Sequence, residues 1–284
     1  MSHKSLVNQL CVILLVSVAA AAQSAPKLTA AQIVDKNIAA RGGVQAWRSL
    51  QTMTWKGKMD VGTGDSTARS RAVSMGSMRQ GRGISPAMAA GKAGEEKQVQ
   101  LPFTSDWKRG HKSRVEIEFN GKTSVQVYDG TNGWMLRPYL NRNDYEPFNA
   151  DQLKAQSQEA DLDGYLVDYT AKGNKIELEG VEKVEGKDAY KLKVTQKSGD
   201  VRNVWIDTQS FLDVRVSGAQ RRMDGKMRNV YIYQRDFRAE NGLMIPHTLE
   251  TIVDGYRDSH KVVIESVAVN PKLADSLFAK PQAQ

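Results

Sequence analysis

Residues 114–128 read RVEIEFNGKTSVQVY, two runs of alternating apolar and polar side chains on either side of a turn. Val115, Ile117 and Phe119 share one face of the first run, and Val125 and Val127 share one face of the second. A period of two marks a half-buried strand, and Asn-Gly between two such runs marks a tight hairpin. The two apolar sets meet on one face only if 117 opposes 125, which requires a three-residue loop, Asn120-Gly121-Lys122. A two-residue loop would send them to opposite faces, so the three-residue register is the expected one.

The same pattern extends outward in both directions. Tyr190, Leu192 and Val194 can face Val204 and Ile206 across Lys197-Ser198-Gly199, with Gly199 where a bulged loop needs a left-handed backbone. Turn dipeptides stand at Asp129-Gly130, Glu185-Gly186, Asp224-Gly225, Asn241-Gly242 and Asp254-Gly255, each between strand-like runs. Upstream, Met53, Trp55, Gly57, Met59 and Val61 alternate with polar residues. About eleven strands with short connections predict an antiparallel meander, not alternating strand and helix units.

Helical signals are few. Thr29, with Gln32 three residues on, opens a helix carrying Ile33, Val34 and Ile38, and Gly42-Gly43 ends it. A short second helix over 44–50 carries Trp47. Asn149 and Gln152 repeat the cap spacing ahead of Leu153, Ala160 and Leu162, and Tyr165, Leu166 and Tyr169 continue to Gly173. The apolar stripe of this 150–172 segment is thin, so loose attachment is expected. Residues 76–96 (GSMRQGRGISPAMAAGKAGEE) are glycine-rich and aperiodic, and read as a mobile insertion. So little helix over so much one-faced sheet leaves two arrangements: the sheet curls around its own side chains, or it encloses a cavity with helices as a lid. Either way the fold class is mainly β with a helical lid.

Composition narrows the chemistry. The chain has 284 residues, 40 basic and 32 acidic, for a formal charge of +8. Lys4 precedes the apolar run 11–22 (CVILLVSVAAAA), and small residues stand before Gln23. This is the layout of a cleavable signal peptide over residues 1–22, too short to span a bilayer comfortably, with cleavage after Ser24 as the close alternative. What remains, 23–284, is expected to be one soluble, monomeric, secreted domain without cysteine, which excludes disulfides, thiol nucleophiles and thiolate zinc sites. His111, His247 and His260 lack metal-ligand spacing, and no nucleophile-elbow, zinc-protease or P-loop pattern occurs. The residues therefore point to a non-enzyme without cofactor or metal.

Other features have plain readings. Met75, Met78 and Met88 are loop methionines without the spacing of a copper site. Asp161 and Asp163 precede Gly164 too closely for a calcium loop. Glu116 and Glu118 alternate with apolar residues, as on a strand's solvent face. Basic clusters lie at Arg69, Arg71, Arg79 and Arg82, at 108–114, and at Arg221, Arg222, Lys226 and Arg228. After export such clusters meet anionic lipid or acidic protein surfaces, not nucleic acid.

The order of several short motifs resembles a known family. The stretch 108–116 (KRGHKSRVE) followed by 129–134 (DGTNGW) looks like the corresponding region of LolA-like periplasmic carriers of outer-membrane lipoproteins. The opening helix ending in Arg41-Gly42-Gly43 before Trp47, the Asp161-Leu162-Asp163-Gly164 turn, and the closing Asn270-Pro271 to Phe278-Ala279-Lys280-Pro281 resemble the outer-membrane lipoprotein-sorting branch. The resemblance spans about residues 30–281. It implies a strongly curved antiparallel sheet forming an incomplete barrel, helices over its open side, and acyl chains of lipid or lipoprotein in the apolar hollow. By the same resemblance Arg109 is the lid latch, although Gly110 stands where the carriers have proline and Ser113 where they have an aromatic residue. Met53, Trp55, Trp134 and Leu136 are the expected cavity wall, with Leu166 and Tyr169 on the lid. Transient envelope proteins and an anionic membrane surface are the expected partners. The alternative is a periplasmic regulatory or sensor module that uses the same sheet to bind a partner protein.

Mass spectrometry of the exported protein, before and after brief trypsin treatment, tests the signal peptide and the insertion together. The chain should begin near Gln23, and the first cuts should fall at Arg79, Arg82, Lys92 or Lys97; first cleavage between Arg114 and Trp134 would contradict the insertion.

Overall fold

The computed structural model describes residues 28–60, 99–223, 225–256 and 259–281. The expected signal peptide 1–22 and insertion 76–96 lie outside the described residues, as do the methionines and arginines singled out between 69 and 88. The described chain opens with α1 (Ala30–Ala40) and α2 (Val44–Ser49), then runs through β1 (Thr52–Asp60), β2 (Gln100–Lys108), β3 (Lys112–Phe119), β4 (Lys122–Tyr128), β5 (Gly133–Arg137) and β6 (Arg142–Pro147). After α3 (Ala150–Glu159) come β7 (Lys175–Val184), β8 (Lys187–Thr195), β9 (Val201–Asp207), β10 (Asp213–Ser217), β11 (Arg221–Met223), β12 (Lys226–Arg228), β13 (Val230–Glu240), β14 (Leu243–Val253) and β15 (Ser259–Val269). Strands exceed the expected count because pieces such as β11 and β12, three residues each, are too short to show a period.

Thirteen strands form one antiparallel sheet in the order β6-β5-β4-β3-β2-β1-β15-β14-β13-β10-β9-β8-β7, and β11 pairs with β12 alone. Spatial neighbours follow chain order except at the seam where β1 meets β15 and where β10 meets β13, between which the β11–β12 hairpin intervenes. The consequence is that β6 and β7, consecutive in the chain, are the two edges of the sheet. The stretch joining them, which contains α3, has to travel from one edge to the other.

The sheet is strongly curved and open. Leu166 belongs to a buried cluster with Ile33 and Val34 of α1 and Leu192, Val204 and Ile206 of β8 and β9. The next residue, Val167, belongs to a cluster with Trp47 and Leu50 near α2, Met53 of β1 and Leu243 and Ile245 of β14. In the sheet β1 and β8 stand six places apart. A flat sheet would separate them by about 29 Å at the usual strand spacing. Two adjacent residues can join both clusters only if the sheet wraps around them. A third cluster, Met59, Leu101, Phe103, Ile117, Val262 and Ile264, continues the concave face along β1, β2, β3 and β15.

Both helix caps form as the sequence predicts. The Thr29 hydroxyl accepts from the Gln32 backbone N–H at 3.2 Å while the Gln32 side chain accepts from the Thr29 N–H at 2.9 Å, and Asn149 with Gln152 repeats the arrangement. The second predicted hairpin is also as read: Leu192 opposes Val204, Tyr190 opposes Ile206, and Gly199 has φ +86°.

The first hairpin differs. Phe119 opposes Lys122 and Ile117 opposes Ser124, so the loop is the two-residue Asn120-Gly121 with φ of +49° and +70°. Positive φ at both positions gives the turn whose twist matches that of the strands it joins. The shift puts Val125 and Val127 on the outer face, opposite Glu116 and Arg114. Both valines are nonetheless buried, at 4% and 0% exposure. The C-terminal stretch runs along this face: Thr52 Oγ1, Lys108 Nζ and Arg114 Nη1 donate to the carbonyls of Pro271, Leu273 and Leu277. The single-face argument fails because the sheet is covered on both faces here.

At the seam, Gly57 has no room for a side chain: a Cβ there would lie 2.0 Å from the Val263 carbonyl oxygen. Gly57→Ala should therefore cost about 3 kcal/mol in urea melts, as forced overpacking does. Gly186→Ala, at φ +82° but with open space around it, should cost only about 1–2 kcal/mol. Equal losses would remove the seam's special role.

Candidate functional site

The connection from β6 to β7 crosses the concave face and is pinned there by charged side chains. In the turn 161–164 the Asp163 backbone N–H donates to Asp161 Oδ1 at 3.2 Å and Gly164 takes φ +73°. This folds the Asp163 carboxylate inward, with 6% of its side chain exposed. Arg109, just after β2, meets it with a fork of two bonds, Nη1 to Oδ2 and Nη2 to Oδ1, both 2.9 Å. The same guanidinium donates through Nε to the Leu50 carbonyl and through Nη2 to the Trp47 carbonyl, both at 2.8 Å. These carbonyls lie at the C-terminal end of α2, where a cation is favoured. One side chain thus ties together β2, α2 and the crossing segment, and the Asp163 carboxylate holds its pKa above the ordinary guanidinium value.

Two further contacts complete the fastening. Arg48 of α2 forks onto Asp168 at 3.0 and 2.6 Å, which holds the Asp168 carboxyl below its usual range. Lys172 Nζ donates to Asp161 Oδ2 at 2.6 Å and to the Gly164 carbonyl at 2.8 Å. The aspartates that looked like a fragment of a calcium loop are the anchors of this segment. Between the anchors, Leu166 and Val167 project into the concave face, 2% and 0% exposed. Beside them an open cleft of about 520 Å³ is lined by Asp35, Ile38, Val44, Arg48, Leu166 and Tyr169, among others.

Most residues picked from the sequence converge here. Met53, buried, and Trp55, half-buried, lie on the concave side of β1; Trp55 Nε1 sits 2.9 Å from Met53 Sδ, and its ring meets Trp107 edge-on at 4.7 Å. Leu166, Tyr169 and Arg109 are on or against the crossing segment. Trp134 and Leu136 are not. Trp55 opposes Ser105, Ser105 opposes Val115, Val115 opposes Gln126, and Gln126 opposes Met135. Directly opposed residues share a face, so Met135 faces inward while Trp134 and Leu136, opposite Val127 and Val125, face outward. The cause is the two-residue turn at Asn120-Gly121, which inverts the phase of β4 and β5 relative to the expected register.

Polar side chains on the crossing segment escaped the sequence reading. Gln156 donates from Nε2 to Ser113 Oγ at 3.0 Å, and Gln152 points its amide at Met135 Sδ at 3.7 Å; both glutamines are buried. Buried amides thus supplement the thin apolar stripe of this segment. A capping-box glutamine that is also buried leaves no periodic trace that could have revealed it. Phe103 and Trp107 follow the alternation of Leu101, Phe103, Ser105 and Trp107 in β2, a signal present in the sequence itself.

No protein-family model matches the sequence, and no match was found among curated proteins. Solved structures do match. A LolA superfamily protein from Nitrosomonas europaea superposes with TM-score 0.53 over 89% of this chain and 99% of its own, at 14% identity. A DUF1329 family protein from Desulfovibrio piger gives TM-score 0.54 over 91% and 100% at 14% identity. A domain assigned to outer-membrane lipoprotein sorting, from Vibrio parahaemolyticus, gives 0.51 over 88% and 95% at 13% identity. The chain has the LolA-like fold. Its open antiparallel sheet and helical cover are those the motif resemblance implied. No helix among the described residues is long and apolar enough to cross a membrane.

A double-mutant cycle on Arg109→Gln and Asp163→Asn should give a coupling of about 1–2 kcal/mol, as a charge-assisted fork with one buried partner does. The more exposed pair Arg48→Gln and Asp168→Asn should couple less, and more weakly still in high salt. No coupling in the first cycle would mean that Arg109 serves only the α2 carbonyls.

Proposed function

We infer that this chain is a carrier of the bacterial periplasm that shelters acyl chains of lipid or lipoprotein on its concave face, with the 161–173 segment as lid and Arg109 as its latch. One observation carries the reading: the side chains that fill the space beneath the lid, Leu166 and Val167, belong to the lid itself and are flanked by ion pairs. Lifting the segment would open space on the concave face without dismantling the sheet. Met53, Trp55, Trp107 and Met135 then form the wall that a chain would touch.

The energies favour exchange. Refilling the space with Leu166 and Val167 stabilises the closed form by about 1.5–3 kcal/mol per side chain. A chain of fourteen buried methylenes brings about 11 kcal/mol at roughly 0.8 kcal/mol each. A ligand can therefore displace the lid's own apolar side chains and still offset the broken ion pairs. Nothing in this exchange needs a nucleophile or a general base, which fits a binding protein and not an enzyme. The expected signal peptide and the LolA-like neighbours support placement in the envelope.

An environment-sensitive fatty-acid probe tests the proposal. It should bind the parent protein, and Arg109→Gln should speed probe uptake about tenfold, the factor that corresponds to weakening the latch by about 1.4 kcal/mol. Trp55→Ser should weaken binding beyond its effect on folding, whereas Leu136→Asn, on the outer face, should leave binding unchanged. A parent protein that takes up no probe, with variants that lose only stability, would end the carrier reading.

A further inference from the structure

At the α3 end of the concave face lies a group of arginines for which the fold provides poor counter-charges. Arg202 of β9 opposes Val194, a fully buried member of the concave cluster, so its side chain is on the inner face. It donates through Nη2 to Gln158 Oε1 at 3.0 Å, a neutral group, and lies close enough to Tyr165 to act on its hydroxyl, while its Nε is buried without an acceptor. Asp200 also acts on Arg202, but its oxygens are engaged by Lys154, Gln158 and Ser198. Arg221, on the β11–β12 hairpin, interacts with one acidic residue among those described, Glu159 at the end of α3, and burial holds its guanidinium below the ordinary value. Directly across that hairpin stands Arg228, over the Tyr256 ring at 5.8 Å, its Nε likewise buried and unpaired.

Like charges opposed across two strands destabilise the pair unless an anion lies between them. Glu159 is a weak candidate for that role. Its side chain is exposed at the end of α3, and the surrounding protein holds its carboxyl above the ordinary value despite Arg202 and Arg221. One exposed carboxylate shared by two guanidinium groups leaves a surplus of positive charge among the described residues, beside the apolar cluster that flanks Arg202.

Building on the carrier reading above, we propose that Arg202 and Arg221, with Arg228 beside them, form a cradle for the anionic headgroup, a phosphate or a carboxylate, of the acyl-bearing ligand. The planar guanidinium fork suits either oxyanion through paired N–H bonds. The apolar face would take the chain, and the cradle would fix which end of the ligand faces α3.

Two ligands that differ only in charge at the head decide it. Titrated into the full-length mature protein at low salt, lysophosphatidate should bind at least tenfold more tightly than monoacylglycerol of the same palmitoyl chain. Arg202→Gln with Arg221→Gln should bring that ratio close to one while leaving the monoacylglycerol affinity unchanged. Arg221→Gln alone, on a hairpin outside the main sheet, should lower the ratio about threefold and guards against a double variant that folds poorly. Equal binding of the two lipids to the parent, or a ratio indifferent to both variants, overturns the cradle and leaves the carrier reading standing. Binding of neither lipid overturns both. If inorganic phosphate binds in the micromolar range and both lipids bind equally, the arginines serve a free anion and the headgroup assignment fails.

Discussion

The pairing of β1 with β15 places the middle of the sheet where the chain's first and last strands meet, and every other feature follows from it. Two meanders grow outward from that seam, so the chain's midpoint, between β6 and β7, must link opposite edges. A link over the outer face would leave the concave side open to water; over the inner face it becomes a cover. The curvature shortens the span and lets one short segment reach strands on both arms. Gly57, which cannot accept even a methyl group against Val263, shows how closely the two backbones approach at this seam.

The cover combines two kinds of interaction that respond to different perturbations. Leu166 and Val167 are held by apolar burial, which is non-directional and can be replaced by any apolar group of similar volume. The forks from Arg109 and Arg48 are directional and fix where the segment lies. A hydrophobic ligand competes with the first kind but cannot supply the second. This division lets a closed form be definite in structure yet open to replacement. The exposed edge strand β7 carries a ladder of charges, with Glu177 to Lys193 and Glu182 to Lys191, which discourages pairing with another sheet.

Much of this was legible in the residues. Capping boxes depend on two side chains three positions apart, so Thr29 with Gln32 and Asn149 with Gln152 could be read without any tertiary information. The 190–206 hairpin was equally local: its apolar sets and the left-handed glycine agree on one register. The hairpin at 114–128 misled because its alternation assumed a single covered face, whereas the C-terminal stretch, 163 positions away at the Arg114–Leu277 contact, covers the other. From that one turn came the misplacement of Trp134 and Leu136.

The sequence by itself determined the antiparallel meander, the helix starts and the apolar stripe of β1, because each is set by contacts within a few residues or by the two-residue period of a strand. Only the tertiary structure decided which face of β5 points inward, that Asp163 meets Arg109, and that Arg202 and Arg221 gather near Glu159. These depend on register, accumulated twist and the path of a long connection, and small local choices such as one residue more or less in a turn propagate through all of them.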